Sequence, residues 1–195
     1  MPDSAEPRLA QLTQETMSDR QKEIAARISN FTIHGIGGPF NVMLRSPGAA
    51  GPMMDLGHYL RFETGIDDRL VELGILIHAR VWTDQYEWAR HIDRARDAGV
   101  SDSIIDALRQ GKRPSGMEED ETVVFDYCVE SEINHRVSDA TYARTLAMFG
   151  EKGVVDFVFL IGNYHIVSLL LALNKIGLPK DGDALPEMAA PFANA

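Results

Sequence analysis

An all-α fold is predicted by three observations on the chain. Apolar residues recur at three- and four-residue spacing, no stretch alternates as a half-buried strand would, and glycine and proline clusters cut the 195 residues into helix-sized segments. A first helix is expected over about Asp19 to Ser29, followed by a loop in FTIHGIGGPF, whose glycines and proline break regular structure. After SPGAAG, Pro52 to Phe62 reads as a helix with Met53, Leu56, Tyr59 and Leu60 on one side, and Ile66 to Val81 makes the next. Asp84 to Ala98 follows, stopped by Gly99, and Ser101 caps a short helix in SDSIIDALRQ that stops at Gly111. Beyond an exposed linker, GKRPSGMEED, helices are expected in ETVVFDYCVESEINH, in SDATYARTLAMFG behind Ser138 as cap, and in the apolar run from Val154 to Leu178 before Pro179. The expected division is an N-terminal helix and arm (1–38), a helical domain (39–179) and a polar tail (180–195), poorly ordered unless it docks on a neighbour.

Composition narrows the function classes. The formal charge of −10, from 29 acidic and 19 basic residues, argues against nucleic acid and anionic membrane surfaces as partners. One cysteine, Cys128, excludes an intramolecular disulfide and a dithiol pair, so a reducing, cytoplasmic setting is expected; the N-terminus has no signal-peptide shape. The run Val154–Leu178 approaches the length of a membrane span, but Asp156, Asn163, His165, Asn174 and Lys175 interrupt it, and a buried core or oligomer-interface helix is the expectation.

The chemistry concentrates in WTDQYEWARHIDRARDAGV. Asp84, Glu87 and His91 stand at offsets of three and four, which stacks them on one helix face, and Glu72 lies one helix upstream at the start of an apolar run where a carboxylate needs a partner or a task. A histidine beside carboxylates in a partly apolar site can relay protons. The same spacing also fits a solvated helix with an ordinary Glu87–His91 ion pair. A metal site would have to be assembled from Glu72, His78, Glu87 and His91, without the usual double-histidine helix motif. Arg61, Arg80 and Arg90 lie near these segments, either as receptors for a carboxylate or as surface residues with solvated heads.

Glu72 in RLVELGILIHARVW, followed by QYEWARHIDRARDAGVSDSIIDALRQG, resembles the carboxymuconolactone decarboxylase family, whose larger members share an all-helical fold with alkylhydroperoxidase D. The resemblance runs from about Pro39 to Pro179 and includes PFNVMLRSP, LGHYLRFETGIDDRLVEL, YEWARH and LIGNYHIVSLLLALNKIGLP. The peroxidase branch carries a glutamate, a Cys-x-x-Cys pair and a histidine four residues after the second cysteine. Glu72 and His91 match the glutamate and histidine, but Asp84 and Glu87 hold the two cysteine positions, so disulfide-forming peroxide reduction is excluded at this site. Cys128 is expected to be a buried structural thiol.

What the resemblance implies is therefore the decarboxylase-like branch: an alkylhydroperoxidase D-like bundle, a proton-transfer enzyme with no cofactor and no metal, and a homo-oligomer, trimeric or a multiple of it. The substrate implied is a small carboxylated lactone or aromatic ring-cleavage product; a lactone hydrolase, isomerase or hydratase, or a non-catalytic binding or assembly protein, are the alternatives. His91 is expected to act as acid, Glu87 to orient and charge its imidazole, and Glu72 to handle a second proton or orient the substrate. Asp84, Tyr86, Trp88, Arg61, Arg80 and His165 are expected to bind substrate, with helix packing the alternative for the two aromatics and a satisfied core histidine for His165. Glu72 and Asp156 each open an apolar run, which fits either duplication of a helical hairpin or the ordinary likeness of buried helices. The arm before Phe40 is expected to cover the pocket or clasp a neighbouring subunit.

Overall fold

The computed structural model describes residues 6–31 and 35–193. Among them are eight α helices, one π-helical turn and no strand: α1 (Asp19–Phe31), α2 (Pro39–Met43), α3 (Pro47–Phe62), α4 (Asp68–Trp82), α5 (Gln85–Asp97), α6 (Asp102–Arg109), α7 (Glu119–Val129), the π turn (Glu130–Asn134) and α8 (Asp139–Leu173). The all-helical expectation holds.

Helix α4 forms the centre. Every residue from Leu70 to Arg80 is buried, because α5, α7 and α8 pack around it and α3 and α6 close the remaining sides. Its ends follow local chemistry: the Asp67 carboxylate accepts from Arg69 N, and Thr83 leaves the helix in the left-handed region at φ 51°. The main core joins Leu73, Ile75, Leu76 and Ile77 of α4 to Trp88 and Ile92 of α5, Val124, Phe125 and Cys128 of α7, and Phe157 and Leu160 of α8. A second apolar cluster holds Ile24 and Ile28 of α1 against Met43, Leu44, Ala50 and Met54.

Caps set several boundaries where the sequence placed them. Ser101 accepts from Ile104 N, and Ser138 from Thr141 N. Three boundaries differ. Helix α3 begins at Pro47 rather than Pro52, because Ala50 and Gly51 are buried where α3 meets α1, so the small residues read as a break serve a close helix crossing. PF within the expected loop opens α2, started by Gly38 at φ 58° and Pro39 in the first turn. The two expected C-terminal helices run on as α8, broken at Gly150 (φ 68°, ψ 178°), and α8 ends at Leu173, five residues before the expected Leu178. There Asn174 is buried, its Oδ1 accepting from Leu9 N at 2.7 Å.

Both ends of the described chain lie on the chain's own body. The Asn41 side chain exchanges two hydrogen bonds of 3.0 Å with the Leu12 backbone, so the arm backs α2. The tail, expected to need a neighbour, folds over α5 and α6 instead: Leu185 and Phe192 enter the core, Gln85 pairs with the Leu185 backbone, and the Arg109 guanidinium binds the Asp183 carboxylate. One face of α8 remains outside the core, with Val155, Val158, Phe159, Ile166, Leu169 and Leu173 exposed. Asp156 is buried against Tyr59 and Lys152, so the two acids of the suggested duplication have unlike surroundings.

Ending the chain after Lys180 removes Phe192, one of the buried core phenyls, and is expected to lower unfolding stability by about 3 kcal/mol. Urea denaturation measures it; an unchanged midpoint would mean that the tail adds nothing.

Candidate active site

Two packed helices build the site. Asp84 caps α5, accepting from the backbone N–H of Tyr86 and Glu87, so it fixes where the helix starts and which face Glu87 and His91 present. That face meets Glu72 of α4. Glu72 Oε2 lies 2.6 Å from His91 Nδ1, and Glu87 Oε2 lies 3.3 Å from His91 Nε2. All three side chains are buried.

Both carboxylates thus contact the imidazole, Glu72 at Nδ1 as the nearer partner and Glu87 at Nε2. A carboxylate from a facing helix reaches Nδ1 directly, whereas the neighbour one turn earlier on the same helix sits at the other nitrogen. Tyr164 of α8 also approaches that end, its Oη 3.4 Å from Nε2. Burial opposes charge on His91, but Glu72 and Glu87 outweigh it and raise the imidazole pKa above its ordinary value. Burial likewise opposes the Glu72 carboxylate, but His91, Arg61 and Arg94 together hold its pKa below the usual range. The two directions agree on an ion pair, His91⁺ with Glu72⁻.

The Nε2 end lies at the wall of a cavity of about 90 Å³ that Glu87, His91 and Tyr164 line. Arg61, Arg90 and Arg94 line it, and Phe40, Met43, Met53 and Met54 supply apolar lining. Arg61 reaches within 3.8 Å of Glu72, and Arg90 stacks over the Tyr86 ring at 5.1 Å. Asn163 lines the cavity as well, and its Oδ1 is buried with no hydrogen-bond partner. Gly38 lets its backbone pass close to the Tyr86 side chain, since a Cβ there would stand 2.2 Å from Tyr86 Oη.

Of the residues expected to bind substrate, Arg61 and Tyr86 line the cavity and four do not. Arg80 is fully buried, donating to the carbonyls of Arg109 and Pro186 and to Thr83 Oγ1, so it latches the tail. Trp88 lies in the core beneath the Arg109 guanidinium. Asp84 is spent on the α5 cap and a bond from Ser168 Oγ. His165 faces away from His91, toward Trp82, His78 and Glu132. Arg94, Asn163, Tyr164 and the α2 residues were missed. Spacing could have supplied one of them: Glu87, Arg90, His91 and Arg94 lie at steps of three and four on one face.

No family model matches the chain, and no curated protein sequence matches it. Its fold is similar to a crystal structure from Agrobacterium tumefaciens, a protein of unknown function whose proposed role is antioxidant defence as an AhpD. The TM-score is 0.63 at 17% identity, over 73% of this chain and 99% of that one. The chain therefore has an AhpD-like all-helical fold.

The raised His91 pKa gives stability that is complete below about pH 6.5 and lost as pH rises through the folded value; the lowered Glu72 pKa gives stability present above about pH 4.3 and lost as pH falls through its folded value. Glu72→Gln is accordingly expected to cost about 3 kcal/mol, most between those limits, with a smaller difference on either side. Melting curves of both proteins across the range check this; a difference independent of pH would refute the ion pair.

Proposed function

We propose that this protein is an enzyme that transfers protons to a small carboxylated substrate, and that decarboxylation of a lactone acid is its reaction. The observation that carries the reading is His91, its Nδ1 2.6 Å from Glu72 and its ring at the wall of a cavity lined by three arginines. Arg61, Arg90 and Arg94 pair with a substrate carboxylate, and the methionines adapt to the body of a flat ring. The carboxyl group to be lost sits against the apolar lining, where its charge is least well solvated. Its C–C bond breaks, carbon dioxide leaves, and the electron pair passes into the conjugated lactone. His91 Nε2–H donates its proton to the carbon that receives those electrons, and solvent protons restore the imidazolium through Glu87.

The thiol chemistry of peroxidases finds no support. Cys128 is wholly buried in the core, and burial pushes its pKa far up, so it stays a thiol.

Incubation with 4-carboxymuconolactone and related lactone acids, with carbon dioxide and product followed, tests the reaction. Turnover is expected, with His91→Ala slower by about a hundredfold or more. No turnover on any lactone acid overturns the decarboxylase reading, and an unchanged rate in His91→Ala removes His91 from it.

The reading extends to a cytoplasmic homo-oligomer, a trimer or a multiple of it, that binds neither nucleic acid nor membranes. The exposed apolar face of α8 supports assembly, because a patch of this kind is ordinarily covered by a partner. Val158→Asp is expected to shift the mass measured by light scattering toward the monomer; an unaltered mass would move the interface elsewhere.

A further inference from the structure

A second cluster of ligating side chains lies outside the candidate active site. His78 of α4, Glu132 of the π turn and His165 of α8 bring their ligand atoms within 4.8 Å of one another. Glu132 Oε1 is 2.6 Å from His78 Nδ1, and Glu132 Oε2 is 3.6 Å from His165 Nε2. Glu132 Oε2 is buried with no hydrogen-bond partner, an unusual state for a carboxylate oxygen. The π turn aims it there, and such turns occur often at functional sites.

The hydrogen bonds around the two histidines leave one nitrogen of each for a cation. Ser168 Oγ gives its proton to Asp84 Oδ2 at 2.5 Å, so at 3.1 Å it accepts from His78 Nε2–H; this leaves Nδ1 toward Glu132. His165 Nδ1 donates to the Ile161 carbonyl at 3.2 Å, and Trp82 Nε1–H points at His165 Nε2, which marks that nitrogen as an acceptor. A histidine whose second nitrogen is anchored to a carbonyl or hydroxyl is the usual arrangement at a metal. The separation between adjacent ligands on a tetrahedral zinc ion is about 3.4 Å, close to the Glu132–His165 distance.

We propose that His78, Glu132 and His165 bind one divalent transition-metal ion of the zinc class, with a fourth position open to water. The Trp82 indole swings off His165 Nε2 as the metal enters. Trp82 and His165 are each about one-third exposed, at 36%, so the open position faces solvent. The site ties α4, the π turn and α8 together, and it stands independently of the proton-transfer reading.

Zinc titration of the chelator-stripped full chain, followed by calorimetry, tests this. One zinc ion per chain is expected, with a higher melting temperature, a change in Trp82 emission and, on substitution with cobalt(II), the visible absorption of a four-coordinate ion. His165→Ala removes a partly exposed ligand and is expected to weaken zinc by more than about a hundredfold, beyond what loss of an outer-sphere partner usually costs; Glu132→Gln should do the same. No zinc binding by the unaltered protein at micromolar metal overturns the proposal. So does binding that survives both substitutions, or that falls only in Glu87→Gln, which would place the ion on the Glu72, Glu87 and His91 set.

Discussion

Helix α4 is buried on every side, and a buried polar side chain left without a partner costs about 1–3 kcal/mol or more. Three such side chains lie along it, and each calls for a different element. Glu72 is met by His91 of α5, His78 by Glu132 of the π turn and Ser168 of α8, and Arg80 by the carbonyls of Arg109 and Pro186. The candidate active site, the second ligand cluster and the latch of the tail are thus three answers to one requirement. Where the helix could have been plain leucine and isoleucine, its polar residues fix the positions of its neighbours.

The charge of the cavity runs against that of the molecule. The chain carries −10 overall, yet the cavity lining holds Arg61, Arg90 and Arg94 with Glu87 as its one acidic side chain among the described residues. In a pocket with apolar lining such a field is poorly screened and favours an anion. The cap of α5 links this pocket to the second cluster, because Asp84 holds both the helix N-terminus and the Ser168 hydroxyl that serves His78. A change at either site therefore has a short covalent and hydrogen-bonded route to the other.

Much of the fold was legible because its signals are local. Asp84, Ser101 and Ser138 cap helices through bonds spanning two or three residues, and Gly99 ends one at φ 102°, so neighbouring residues alone define them. Features that depend on distant partners were not legible. The small residues Ala50 and Gly51 read as a loop, yet α1 packs on them as helix, and Phe192 read as tail until Phe125 and Arg80 gave it and its neighbours a place. In the site, periodicity grouped Glu87 with His91 correctly, but it could not tell which ring nitrogen each carboxylate would meet.

By itself the sequence determined that the chain is helical, that Asp84, Glu87 and His91 share one helix face, and that no dithiol is present. Those properties follow from residue type and spacing along one helix. Only the tertiary structure decided that Glu72 charges His91, that Arg90 and Arg94 join Arg61 at the cavity while Arg80 and Trp88 do not, and that His165 belongs with His78 and Glu132. The reason is physical: direction of a side chain along its own helix is set locally, whereas its partner is set by the crossing of helices up to about ninety residues apart, as His78 and Ser168 are.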